Sequence, residues 1–244
     1  MKPLPIPWIE PGSAPVFPPA TQALHDPNGL LALGGDLTST RLLEAYRHGI
    51  FPWYGRDEPI LWWSPDPRCV FATDGVHVSH RLRRDLHRST WSITIDRAFV
   101  EVMRACAAPR AGQSGGTWII DEMVDAYGAL HRQGHAHSIE VWDGARLVGG
   151  LYGVAVGRLF CGESMFSAAA GGSKAALACL AHLLHGWNMP LLDAQVGNPH
   201  LYRMGAHDMP RAAFLAQVTR LVTARPAADA FRVDGALPVG SFAF

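Results

Sequence analysis

The stretch HSIEVWDGARLVGGLYGVAVGRLFCGESMFS, residues 137–167, constrains the fold more than any other part of the chain. Apolar, β-branched and aromatic residues run through it, and Asp143-Gly144 is a hairpin signal. It predicts an antiparallel strand meander. Helical patterns surround it: VSHRLRRDLHR with Ser79 as a cap, FVEVMRACA, DEMVDAYGALHRQG ended by Gly134, SKAALACLAHLLHGW from Ser173, PHLYRMG closed by Gly205, and RAAFLAQVTRLV. WSITID and LLDAQV add further strands. Hairpins combined with βα alternation predict an α+β (mixed α/β) fold, a sheet covered by helices.

The beginning of the chain differs in character. Residues 1–35 are rich in Pro and Gly and predict irregular structure. DLTSTRLLEAYRHG predicts a short helix capped by Asp36 or Thr38, with Leu42, Leu43 and Tyr46 as its apolar stripe and Gly49 as its stop. The prolines of FPWYGRDEPILWWSPDPR suggest short edge strands and loops. A boundary near residue 70 follows, with a small N-terminal domain over 1–70 and the main domain over 71–244.

Bulk properties narrow the function. With 48% hydrophobic and 17% charged residues, the 244-residue chain can build a sizeable core. Its formal net charge is zero, so a nucleic-acid site must come from local clustering. No apolar run of about 18 residues predicts a membrane span, and the Pro-rich start lacks the apolar core of a secretory signal. Cys69, Cys106, Cys161 and Cys179 show no CxxC spacing, which argues against a zinc knuckle or redox pair and for a reduced, cytoplasmic protein. There is no GxSxG, and the spacing of His135 and His137 suits no helical metal pair, so no metal is expected.

Five features could carry chemistry. In LLDAQV, Asp193 and Gln195 lie two apart, so a regular strand aims both at one face; a bonded neighbouring loop is the plainer explanation. Arg81, Arg84 and Arg88 share one helical face flanked by Arg83 and His87, a phosphate-binding tract or an ordinary solvated face. Tyr46, Phe51, Trp53, Tyr54, Trp62 and Trp63 offer rings for base stacking, although most of them fit a small-domain core. On the strand CGESMFS, Glu163 and Met165 would share a face and line an apolar pocket with one anionic wall; a salt bridge to a core arginine is the alternative. Gly171 and Gly172 precede a helix and fit capping better than anion binding, since no Walker A spacing is present.

DPNGLLALGGDLTSTRLLEAYRHGIFPWY, WWSPDPR, GTWI, GHAHSIEVW, LVGGLYGVAVGRLFCGESMFS, SKAAL and the DAQ strand, in that order from about residue 24, resemble the leucyl/phenylalanyl-tRNA–protein transferase family. FPW, WWSPDPR and GESMFS are the specific elements. The resemblance implies a small N-terminal domain followed by a GNAT-like acyltransferase domain. It also implies transfer of Leu or Phe (also Met) from aminoacyl-tRNA to proteins beginning with Arg or Lys, which creates an N-terminal degradation signal. No cofactor is implied, because the ester already stores the energy. The family suggests a monomer in the cytoplasm.

Roles follow from the same resemblance. Asp193 and Gln195 are the catalytic pair, with Gln195 contacting the acceptor amine and Asp193 holding the Gln195 carboxamide. Glu163, at the rim, faces the cationic acceptor. Trp53 and Trp118 stack the 3′ adenosine with Tyr46 nearby, and Tyr127 belongs to the substrate site. Leu151, Phe160, Met165, Leu177 and Leu180 line the aminoacyl pocket; their conservative departures leave the ranking of Leu against Phe open. The basic tract of Arg81, Arg83, Arg84 and Arg88 is assigned to tRNA. Two rival classes stand beside this reading. A coenzyme A-dependent N-acetyltransferase is disfavoured by the missing R/Q-x-x-G-x-G/A loop. A non-catalytic RNA-binding module is disfavoured by the Asp–Gln strand and the GESMFS pocket.

Overall fold

The computed structural model of the chain describes residues 6–108 and 117–244. The first residues of the Pro-rich start and Gly116 of the GTWI motif lie outside the described residues.

Two sheets organise the chain. The first contains β1 (Trp8–Ile9), β2 (Leu30–Gly34), β3 (Phe51–Pro52) and β4 (Leu61–Trp63) in the order β1-β2-β4-β3. Helix α1 (Ser39–Arg47) connects β2 to β3, and the Thr38 hydroxyl accepts from the Arg41 N–H at its start. Asp36 supports the cap from outside by accepting from the Thr38 N–H and hydroxyl.

The second sheet has eight strands. They are β5 (Arg68–Ala72), β6 (Ser92–Ile95), β7 (Ala136–Asp143), β8 (Arg146–Val156), β9 (Leu159–Ser167), β10 (Leu191–Gln195), β11 (His207–Met209) and β12 (Leu237–Pro238). Their order is β11-β5-β10-β9-β8-β7-β6-β12. The meander is β7–β9, antiparallel throughout, and Gly144 turns at φ +60°. Strand β10 runs parallel to β9 and antiparallel to β5. A parallel neighbour needs a crossover, which α5 (Gly172–Gly186) supplies. The mixed α+β expectation holds.

Helices cover both faces. On one face, α3 (Phe99–Ala107), α4 (Asp121–Arg132) and α1 bury Phe99, Met103, Tyr127 and Tyr46 against Tyr152 and Cys161. On the other, α5 buries Leu177, Leu180 and Leu184 with Phe71, Phe160 and Leu192. Helix α2 (His80–Arg88), capped by Ser79, also packs on this side through Leu82 and Leu86. The chain ends with α6 (Pro199–Arg203), α7 (Arg211–Leu221) and a C-terminal segment that adds β12. A Cβ on Gly149 would lie 2.5 Å from the Gly172 Cα, so the start of α5 rests directly on β8. Close packing therefore accounts for Gly172 of GGSKAAL, and the left-handed φ of +92° accounts for Gly171. The first turn also spends the Ser173 N–H on the Ser167 hydroxyl, at 2.7 Å.

Candidate active site

Two bulges build the site. Between β8 and β9 the register moves from Tyr152 opposite Ser164 to Gly153 opposite Gly162, which leaves Glu163 as the extra residue. Between β10 and β5 it moves from Asp193 opposite Val70 to Gln195 opposite Cys69, which leaves Ala194 extra. Gln195 then adopts φ +61°, a left-handed conformation uncommon for a side-chain-bearing residue. Strict strand alternation fails at both places. Met165 packs with the α5-side core and Phe166 with the opposite core, while Glu163 reaches Tyr46 and Tyr127 on that opposite side. Glu163 and Met165 do not share a face as regular pleating predicts.

The bulges meet through a hydrogen bond. Gln195 Nε2 donates to Glu163 Oε1 at 2.7 Å. The same oxygen accepts the Tyr46 hydroxyl at 2.8 Å, and Oε2 accepts the Tyr127 hydroxyl at 3.2 Å. The two phenol oxygens also lie within hydrogen-bond distance of each other. Two phenolic protons cannot serve all three contacts, so the phenols bond each other only when one of them releases Glu163 or the carboxyl itself carries a proton. Burial pushes the Glu163 carboxyl up to about 7, although the bonds from Tyr46, Tyr127 and Gln195 favour its charged form. Burial and the Glu163 charge push both tyrosines well above the usual phenol value.

Asp193 is fully buried and makes a two-pronged pair with Arg68, Nε to Oδ1 at 2.8 Å and Nη2 to Oδ2 at 2.7 Å. The guanidinium lies between the rings of Phe51 and Phe214, 4.7 and 4.6 Å from their centroids, and donates from Nη1 to the Gly49 carbonyl at 3.1 Å. Asp193 Oδ1 also accepts the backbone N–H of Gln195 at 2.9 Å. One expectation is corrected here and one alternative is set aside. Asp193 holds Gln195 by its backbone, because the carboxamide is already given to Glu163. The core arginine belongs to Asp193 and not to Glu163. Sequence reasoning gave Arg68 no role; its signal was a cation opening the apolar run RCVFA.

A cavity of about 440 Å³ opens on this arrangement. Leu151, Phe160, Met165, Leu177 and Leu180 all line it, as do Glu163, Gln195, Trp53 and Trp118. Glu163 is half-buried within the cavity wall, deeper than a rim position. Trp53 is 44% exposed and can present a ring face, with Trp63 at its side and the Trp63 indole N–H donating to its carbonyl. Tyr46 and Tyr127 are buried behind the carboxylate and reach the cavity only through Glu163. Ala194, the extra residue of the β10 bulge, and Val196 just past the strand also line the cavity.

The basic tract lies apart. Arg81, Arg84 and Arg88 are exposed on α2, Arg83 is half-buried, and none of the four lines the cavity. Arg81 and Arg84 both approach Asp85, at 3.8 and 3.7 Å. His137 is bonded to Asp96 at 2.7 Å. Among the described residues no His, Cys, Asp and Glu group is arranged to hold a metal, and no helix is long and apolar enough to cross a membrane.

The comparisons with known proteins agree with one another. The family described as leucyl/phenylalanyl-tRNA protein transferase matches residues 70–219, and the N-terminal domain of the same family matches residues 35–66. Relatives named leucyl/phenylalanyl-tRNA–protein transferase from Xanthomonas euvesicatoria pv. vesicatoria (strain 85-10) and Xanthomonas oryzae pv. oryzae (strain MAFF 311018) are 66% and 67% identical over 211 residues, 86% of this chain and 84% of theirs. A relative of that name from Xylella fastidiosa (strain M23) is 59% identical over 208 residues, 85% of either chain. With identity that high across most of both chains, the protein belongs to the leucyl/phenylalanyl-tRNA–protein transferase family of aminoacyltransferases.

Proposed function

We propose that the protein transfers Leu or Phe, and also Met, from aminoacyl-tRNA to the N-terminal α-amine of proteins beginning with Arg or Lys. The product carries an N-terminal degradation signal. The protein works as a cytoplasmic monomer without a cofactor, its small domain ending near residue 70 and a GNAT-like domain carrying the site. One observation carries the reading: an apolar cavity of about 440 Å³ with Glu163 and Gln195 joined in its wall and Trp53 and Trp118 beside it.

The chemistry follows from those groups. The aminoacyl side chain occupies the apolar part. The 3′ adenosine stacks on Trp53 and Trp118, a contact worth about 1–3 kcal/mol per base. The neutral amine nitrogen attacks the ester carbonyl, the C–O bond to the ribose breaks, and the proton shed by the amine ends on the ribose oxygen, which leaves as the hydroxyl. Gln195 is too weak a base to take the amine proton. With its Nε2 committed to Glu163, its Oε1 is free to accept from the amine and aim the lone pair. The Glu163 anion faces the cationic acceptor. Such orientation lowers barriers by as much as about 7–11 kcal/mol in favourable systems. The Arg81, Arg84 and Arg88 face tracks tRNA phosphates.

The test mixes labelled leucyl-tRNA with an Arg-initiated peptide, without ATP or coenzyme A. Label should appear on that peptide and not on a Gly-initiated one. An unlabelled Arg-peptide, or acetylation from acetyl-coenzyme A in its place, would overturn the reading.

A further inference from the structure

The segment after α7 folds back over the α5 side of the sheet. The Ala227 N–H donates to the Trp187 carbonyl at 3.0 Å, and two turns follow, Ala230 N–H to Ala227 at 3.1 Å and Arg232 N–H to Asp229 at 2.9 Å. Between them Phe231 has φ +60°. A bulky residue persists in that left-handed conformation only where its surroundings impose it. Here the surroundings are aromatic. The Phe231 ring stacks flat on His137, 3.7 Å between centroids at 7°, and packs on Trp187 at 4.8 Å. Asp96 fixes His137 in turn, at 2.7 Å.

Phe231 also stacks on Phe160, 6.0 Å between centroids at 27°. Phe160 lies across β8 where Gly153 offers no side chain; a Cβ there would come within 2.5 Å of the Phe160 Cε1. Phe160 lines the aminoacyl cavity, whereas Phe231 lines a second one, of about 410 Å³, together with His137 and Ala155. The Phe160 ring thus borders the first cavity and also packs against Phe231. Phe231 lies beyond the segments that the two family models match, 35–66 and 70–219.

We infer that Phe231 is a specificity-positioning residue: it backs the Phe160 ring and so sets how deep a side chain the aminoacyl cavity accepts. This rests on the function proposed above. Densely packed interiors transmit such displacements. With Phe231 gone, Phe160 can retreat into the second cavity, which favours the longer phenylalanyl group over leucyl.

The test uses the full chain and two probes, the non-hydrolysable amides of leucyl- and phenylalanyl-adenosine, titrated calorimetrically. Phe231→Gly suits the left-handed backbone and removes the ring. It should raise the phenylalanyl-to-leucyl affinity ratio about fivefold or more, the size of effect that small changes in an apolar pocket produce. In transfer assays the change should fall in KM more than in kcat. Phe231→Tyr, which keeps the ring, should restore the wild-type ratio. Should Phe231→Gly not fold, Phe231→Leu should give an intermediate ratio. Equal weakening for both probes would overturn the inference and leave the functional reading intact. Wild-type protein that binds neither probe would overturn both.

Discussion

Arg68 and Asp193 form a two-pronged ion pair in which each side chain is only 1% exposed. A buried charge without its partner is expensive. Asp193→Ala should therefore lower unfolding stability by about 3–5 kcal/mol, before any effect on chemistry is read. The apolar double variant Arg68→Met with Asp193→Leu should regain much of that stability. It should still turn over slowly, because the Gln195 N–H has lost its acceptor. Urea unfolding alongside transfer assays checks both; an Asp193→Ala protein of wild-type stability would contradict the role given to the pair.

Gln195 calls for a different variant. At φ +61° an alanine remains in the left-handed region, whereas glycine is at ease there. Gln195→Gly should reduce kcat by about 10–100-fold, the scale of a lost orienting contact, while charged-tRNA binding stays nearly unchanged. Filter binding beside single-turnover kinetics separates the two, and equal losses in both would assign Gln195 to binding.

The Glu163 carboxyl, raised by burial to about 7 from an ordinary 4.5, makes stability depend on pH. The folded state keeps this proton where the unfolded state has released it. Its contribution is complete below about pH 4.5 and is lost as pH rises to about 7. The fall amounts to roughly 3 kcal/mol at most. Buried Glu140, also raised by burial, acts in the same direction, so the difference between wild type and Glu163→Gln isolates the site. Denaturant unfolding between pH 4 and 8 should show a shallower decline for Glu163→Gln. If the anion is what receives the acceptor, that variant also loses the acidic limb of the pH–rate profile.

Arg81 and Arg84 share Asp85. Reversing Arg81, Arg84 and Arg88 should weaken charged-tRNA binding and flatten its dependence on log salt by about 0.7–0.9 per lost phosphate contact. Asp85→Asn should tighten binding, since it removes the one carboxylate both arginines approach. An unchanged salt slope in the reversal variant would move the phosphate tract elsewhere.

Much of the fold can be read from periodicity and turn chemistry. The Asp143-Gly144 hairpin, the caps at Thr38 and Ser79 and the stops at Gly134 and Gly205 all depend on local preferences. The five apolar residues assigned to the pocket by resemblance do converge on one cavity. What alternation could not foresee is the pair of bulges. An extra residue in β9 or β10 exists only relative to its partner strand, and the registers with Tyr152 and Cys69 are not written in LLDAQV or CGESMFS alone. The same limit hid Arg68, which lies 125 residues from Asp193 in the sequence.

The pairing of β12 with β6 has a consequence beyond the site. Without Leu237 and Pro238, the outer backbone groups of Ser92 and Ile93 would stand open as a template for a strand from another molecule in the place of β12. Pro238 has no N–H to extend the ladder, and the opposite margin of the sheet stops at the three residues of β11. The segment that carries Phe231 continues into this closing strand. The same stretch of chain therefore packs against Phe160 in the cavity wall and covers the sheet edge that β6 would otherwise expose.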